Sequence, residues 1–141
     1  FDGNLSNPHL PENIQGNTWV VYTGTHDNET TLGWWKNLDN EARERVFGRS
    51  KDDLDEPIWK LLEMGLATEA QLFVAPIQDL LCLDNEARFN TPGTVNSNWN
   101  WRLESFDEAT FKAIKNYGGL GESLGRTLSD AAFLIDTRSR V

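Results

Sequence analysis

Residues 18 to 35, TWVVYTGTHDNETTLGWW, constrain this chain more than any other stretch. Trp19, Val20, Val21 and Tyr22 form a β-branched and aromatic run, the composition of a buried strand in a parallel sheet. Gly24 breaks the run, and a polar cluster follows: Thr25, His26, Asp27, Asn28, Glu29, Thr30 and Thr31. Leu32, Gly33, Trp34 and Trp35 then read as the first turn of a helix. Strand, polar loop and helix make a βα unit, and α/β folds place their chemistry at the C-terminal ends of strands. The triplet His26, Asp27 and Asn28 falls there, which makes it a candidate site on physical grounds. The alternative is that Asp27, Asn28 and the threonines only turn the chain and cap the helix. These residues alone leave both readings open.

The rest of the chain extends the pattern. Residues 1 to 16 are rich in Gly, Asn and Pro and predict an irregular loop, with His9 a loop residue rather than a ligand. Residues 39 to 49 read as a polar helix with Arg43, Glu44 and Arg45 on a solvated face, and 50 to 55 as an acidic linker. Pro57 suits the first turn of a helix running to about Ala67. Ile58, Leu61, Leu62 and Leu66 give it one buried face, with Trp59 and Met64 at the margins. QLFVA, residues 71 to 75, reads as a second strand, ended by Pro76 and followed by a short helix or turn. One strand, a helical crossover and the next strand predict a parallel α/β sheet or barrel.

Residues 84 to 104 hold a rigid turn, Thr91-Pro92-Gly93-Thr94, with Asn90, Asn96, Asn98 and Asn100 around it. Amides beside indoles match a site for a neutral polyol, the amides bonding hydroxyls and the rings covering apolar sugar faces. A turn-rich surface loop with buried tryptophans is the plainer reading. Ser105 and Glu108 predict a capping box for a helix ending near Tyr117, where Gly118, Gly119 and Gly121 stand. A last amphipathic helix is expected over about 122 to 137, with Leu124, Leu128, Ala131, Ala132 and Ile135 on one face.

Composition narrows the partners. A formal net charge of −9 repels phosphate backbones, so nucleic acid and anionic membrane are excluded as expected partners. Cys82 is the single cysteine, which rules out an internal disulfide and fits a reducing compartment. No apolar run reaches the roughly 20 residues of a membrane helix, and no signal-peptide pattern is present. Six tryptophans in 141 residues favour carbohydrate stacking somewhat. The chain opens on Phe1, which fits a piece of a larger protein.

YTGTHDNETTLGWW closely resembles the segment around one catalytic aspartate in 4-α-glucanotransferases of the amylomaltase (disproportionating enzyme) family, glycoside hydrolase family 77, whose pattern commonly reads YTGTHDN-[DE]-TT-x-GWW. Asn7 to Pro11 resembles the segment preceding that strand. A second match covers Gln78-Asp79-Leu80-Leu81, Ala87-Arg88, Asn90 to Thr94 and Asn98-Trp99-Asn100-Trp101-Arg102, against QDLLGL, AR-x-NxPGT and NW-x-WR. Cys82 replaces the usual glycine and Phe89 a typical methionine, and both look tolerable for packing.

The resemblance implies a fold: residues 1–141 as a single segment, about the last two βα units of a TIM (β/α)8 barrel. It implies 4-α-glucanotransferase chemistry, moving a segment of a 1,4-α-glucan to a new 4-position by a retaining double displacement. Asp27 is then the carboxylate that stabilises the transition state, with His26 donating to a neighbouring hydroxyl of the same sugar. Asn28, Asn90 and Pro92 are expected substrate contacts, while Gln78 and Asp79 hold loops together. No metal or cofactor is expected. The partners are α-1,4-glucans and the remainder of the barrel, in the cytoplasm or, for a plant or alga, a plastid. The family's nucleophile and acid/base lie on earlier strands, so the chain alone is expected to be inactive. Rival readings are a metal phosphohydrolase doublet at His26-Asp27, a relative of the α-amylases, and a non-catalytic glucan-binding or interaction module.

Overall fold

Strand β1 (Val20–Tyr22) pairs in parallel with β2 (Leu72–Val74), setting Val20 beside Leu72, Val21 beside Phe73 and Tyr22 beside Val74. The computed structural model describes residues 4–47 and 56–126. Between the strands lie α1 (Thr31–Asn37), α2 (Asn40–Phe47) and α3 (Pro57–Leu66). After β2 come α4 (Ile77–Leu80) and α5 (Glu108–Ser123). The expected order of elements and the parallel α/β pairing are both present. The acidic linker lies outside the described residues.

Alternation along the strands decides where the core forms. Phe73 is buried against Leu62 and Leu66 of α3, Leu80 of α4 and Ala113 of α5, and Val21 packs on the same cluster. Gly65 lets α3 lie down on β2, since a Cβ there would stand 2.2 Å from the Phe73 ring. Val20, Tyr22 and Leu72, on the other face, are about half exposed. Among the described residues the strand is thus half exposed where the sequence predicts a buried one, because the described helices cover one face of the two-stranded sheet. Leu61 is likewise half-buried rather than part of the core, because it turns towards a hollow beside β1.

Local signals set most helix ends. Thr30 caps α1, its Oγ1 accepting from the Gly33 amide at 3.1 Å. Arg126 reaches back to the C-terminal end of α3 and donates to the carbonyls of Leu66, Thr68 and Ala70 at 2.6, 2.7 and 3.0 Å. The N-terminal loop contains one short 3-10 turn, Pro11–Asn13, where an irregular loop was expected. Arg43 is not simply solvated: it lies over the Trp35 ring and donates to the Trp35 and Lys36 carbonyls.

Helix α5 departs most from expectation. Its N-cap is Asp107, not Ser105, and the Asp107 carboxylate accepts from both the amide and the hydroxyl of Thr110 at 2.9 Å. Those two bonds hold the Asp107 carboxyl below the usual carboxylate range. The helix runs through Gly118, Gly119 and Gly121, because Thr110, Ala113, Tyr117, Leu120 and Gly121 line up on its packed side. It ends at Gly125 (φ +78°), in a Schellman closure with Gly125 N bonded to Glu122 O and Arg126 N to Gly121 O. Residues 122 to 125 are thus the end of α5, not the start of a further helix, and the rest of that expected helix lies outside the described residues.

The same closure ends α4, where Cys82 N bonds Asp79 O and Leu83 N bonds Gln78 O. Here the left-handed position is held by Cys82 at φ +50°. A side chain in place of glycine here is therefore a matter of backbone strain as well as of packing. A non-glycine residue in this region costs about 1–3 kcal/mol, part of which the half-buried thiol offsets by packing. Cys82→Gly is expected to raise unfolding stability by about 0.5–1 kcal/mol, read as a higher urea midpoint at constant slope. An unchanged or lowered midpoint would contradict the strain. Burial, and then the charges of Glu56 and Asp79, push the Cys82 thiol pKa up and disfavour the thiolate.

Candidate active site

The loop from Gly24 to Thr30 is set by bonds at its two ends. Asp79, 2% exposed, accepts from the Thr23 hydroxyl at 2.6 Å, the Thr31 amide at 2.9 Å and the Thr31 hydroxyl at 2.7 Å. One carboxylate on α4 thereby fixes the end of β1 and the start of α1. Gln78, also buried, donates to the Ala87 carbonyl at 3.3 Å. Both residues do tie loops together. Inside the loop Asn28 Oδ1 accepts from the amide and the hydroxyl of Thr25 at 2.7 and 2.8 Å. Glu29 Oε2 accepts from Asn37 and Asn85 at 2.8 and 3.2 Å. The turn-and-cap reading thus describes Asn28 and Thr30, whose side-chain oxygens are occupied locally.

His26 and Asp27 are used differently. Their side chains are about half exposed, with His26 Nε2 3.3 Å from Asp27 Oδ1. The same Oδ1 accepts from Asn90 Nδ2 at 2.6 Å. Among the described residues no donor reaches Asp27 Oδ2. Asp27 opens into a hollow of about 660 Å³ lined also by His9, Tyr22, Trp34 and Arg88. His26 lines a second hollow of about 580 Å³ with Phe89 and Trp101. Either volume suits a small ligand. Glu29, the other carboxylate on the first hollow, has Oε2 tied to Asn37 and Asn85, whereas Asp27 has Oδ1 tied to Asn90 and stands beside His26.

A second loop braces this doublet. Arg88 Nη2 donates to the Asp27 carbonyl at 2.8 Å, and Arg88 Nε to the Asn90 carbonyl at 2.9 Å. Asn90 N donates to the His26 carbonyl at 3.1 Å. The structure therefore brings His26, Asp27 and Asn90 together, with Asn28 beside them lining both hollows while its Oδ1 turns the loop. Pro92 sits exposed on the 91–94 turn and lines neither hollow. Asn98 staples that turn, accepting from Thr91 N and donating to Thr94 O and Oγ1. Trp99 is exposed, contrary to the plainer reading of buried tryptophans. Sequence reasoning gave no role to Arg88, and to Trp99 only the general one of an indole able to cover a sugar face. Both stand inside matched motifs, but only their contacts with residues far back in the chain single them out. Among the described residues no three His, Cys, Asp or Glu side chains group as metal ligands would.

The family model described as 4-alpha-glucanotransferase matches residues 1–108. A 4-alpha-glucanotransferase of Oryza sativa, named as chloroplastic/amyloplastic, is 42% identical over 119 residues, 82% of this chain and 20% of that protein. The 4-alpha-glucanotransferase of Thermus thermophilus is 42% identical over 112 residues, 73% of this chain and 22% of that protein. A solved amylomaltase from Streptococcus agalactiae, in complex with acarbose, superposes with a TM-score of 0.72 at 30% identity, covering 86% of this chain and 25% of that one. The chain spans about a fifth of the length of the curated relatives it matches. With 108 of its residues matched by the family model and relatives about 40% identical, this chain belongs to the 4-alpha-glucanotransferase family, glycoside hydrolase family 77.

Proposed function

We propose that residues 1–141 form a single segment, about the last two βα units of the (β/α)8 barrel of a 4-α-glucanotransferase, and that Asp27 is its transition-state-stabilising carboxylate. One observation carries the reading: in the loop after β1, Asp27 lines a hollow and holds Oδ1 against Asn90, while among the described residues no donor reaches its Oδ2. A carboxylate with one oxygen fixed can accept a hydrogen bond from a sugar hydroxyl with little reorganisation, and such bonds tighten as the ring approaches the oxocarbenium ion. His26, beside it, serves a neighbouring hydroxyl of the same sugar. Asn28, Asn90 and Pro92 are the proposed glucan contacts, Asn90 also bracing Asp27.

In the retaining reaction a nucleophile displaces the glucan's leaving oxygen, which an acid protonates, and the acceptor's 4-hydroxyl then attacks the glycosyl-enzyme and returns its proton. Asp27 provides neither group. The half-exposed Val20, Tyr22 and Leu72, and strands that among the described residues are paired on one side each, support the remainder of the barrel as the structural partner. α-1,4-Glucans are the proposed substrates. No described helix is long and apolar enough to cross a membrane. The proposed location is the cytoplasm, or a plastid as in the names of the plant relatives.

Maltotriose is the test. The full-length protein should convert it to glucose and longer oligosaccharides, and the isolated 141-residue chain should not. Transfer by the isolated chain would overturn the assignment of the nucleophile and acid/base to other parts of the barrel. A full-length protein that only binds maltodextrin, with a raised unfolding midpoint and no transfer, would favour the binding-module reading.

A further inference from the structure

Trp99 is held in a conformation that a tryptophan does not choose. Its φ is +63°, in the left-handed region, two residues after Ser97 at +64°. Strain of this kind persists only where the surroundings over-determine it, and it gathers at functional sites. The surroundings here do so. Trp99 N donates to the Phe89 carbonyl at 2.8 Å, and Arg102 Nη1 donates to the Trp99 carbonyl at 2.9 Å. The Phe89 ring meets the indole edge-on at 5.1 Å. Asn98 ties the preceding turn. Yet the side chain so restrained is not used in the core, since it is 51% exposed.

What the indole does touch is His26, with ring centroids 5.0 Å apart and planes inclined by 35°. A half-exposed imidazole otherwise has freedom about χ1 and χ2, and its Nε2 has to stay near Asp27 Oδ1 for the two groups to engage one sugar. Resting on the above reading of His26 and Asp27, we propose that Trp99 is a positioning residue: its indole face fixes the His26 imidazole at the angle at which Nε2 stands beside Asp27. Aromatic contact of this kind restricts the ring without removing its nitrogens from the ligand. The backbone strain at Trp99 is what aims the indole at His26 rather than at solvent. Arg88 and Asn90 hold the backbone of the doublet, and Trp99 completes the brace by holding its ring.

Two variants of the full-length protein separate this role from simple packing. Trp99→Phe keeps an aromatic face for His26, whereas Trp99→Leu keeps apolar bulk against Phe89 without one. Thermal unfolding should be close to wild type in both, since the side chain is half exposed. With maltotriose, Trp99→Leu should lower kcat on the order of tenfold to a hundredfold with KM little changed, and Trp99→Phe should restore most of it. The His26 Hε1 resonance gives a readout independent of turnover: the indole ring current should displace it in wild type, and Trp99→Leu should move it back. A His26 resonance indifferent to Trp99→Leu, or full kcat in that variant, overturns the proposal. If wild type shows no transfer, the glucanotransferase reading fails, while the resonance still decides whether Trp99 positions His26.

Discussion

Asp27→Asn in the full-length protein is expected to lower glucan transfer about 10²- to 10³-fold while sparing the fold. The substitution keeps size and shape, and the new amide's oxygen can still accept from Asn90 Nδ2, the contact that Asp27 Oδ1 makes at 2.6 Å. The Asp27 backbone carbonyl, held by Arg88, is untouched. With the side chain about half exposed, stability should change by no more than about 0.5 kcal/mol. What is lost is the negative charge and Oδ2 as an acceptor. An interaction that strengthens as positive charge develops on the sugar acts on kcat rather than on ground-state binding. Loss of one such electrostatic group typically costs 10² to 10³ in rate, about 3–4 kcal/mol. Glucose released from maltotriose gives the rate and thermal unfolding gives the fold. Activity within tenfold of wild type in a folded variant would remove Asp27 from the catalytic assignment.

Asp79→Ala should damage the fold itself. The 2% exposed carboxylate accepts from three donors on two elements: the Thr23 hydroxyl after β1, and the amide and hydroxyl of Thr31 at the start of α1. The Thr31 amide belongs to the first turn of a helix, so it has no partner within that helix. Alanine leaves all three donors unpaired, and at least the buried Thr31 groups have no solvent to turn to. At about 1–3 kcal/mol for each unmet donor, partly relieved by water entering, a loss of about 3–4 kcal/mol is expected. That is a large part of an ordinary domain's 5–15 kcal/mol. Asp79→Asn, retaining one acceptor oxygen, should fall between alanine and wild type. Urea unfolding of the full-length proteins measures this, and an alanine variant with an unmoved midpoint would show that Asp79 does not hold the loop. Because the loop it holds carries His26 and Asp27, the less disruptive asparagine variant should also slow transfer more than it weakens the fold.

The α/β order was legible because its signals are local. The β-branched run before Gly24, the Thr30 cap, Pro57 at the first turn of α3 and Pro76 after β2 act over a few residues of chain. Helix α5 was misjudged where two local signals compete. Ser105-x-x-Glu108 and Asp107-x-x-Thr110 both offer caps, and the carboxylate that accepts twice from Thr110 prevails. Glycines that look like a stop were carried through the helix by packing, Gly121 lying buried near Leu66, and the true stop is the positive φ at Gly125. Cys82 shows the same limit, since its left-handed backbone is invisible in a comparison of side-chain sizes.

By itself the sequence determined the alternation of strand and helix, the polar loop at the end of β1, and the motifs that mark the family. Hydrophobic period, turn residues and charge are properties of neighbouring residues, so they survive in one dimension. Only the tertiary structure decided which polar atoms meet. Asn90 reaches Asp27 across 63 residues and Arg88 reaches it across 61. It also decided that the side-chain oxygen of Asn28 turns the loop while Asp27 Oδ2 meets no donor among the described residues, and that Trp99 stands against His26. Those outcomes depend on how two loops are brought together by the packing of α3, β2 and α4, where a displacement of about an ångström breaks a hydrogen bond and no local pattern records it.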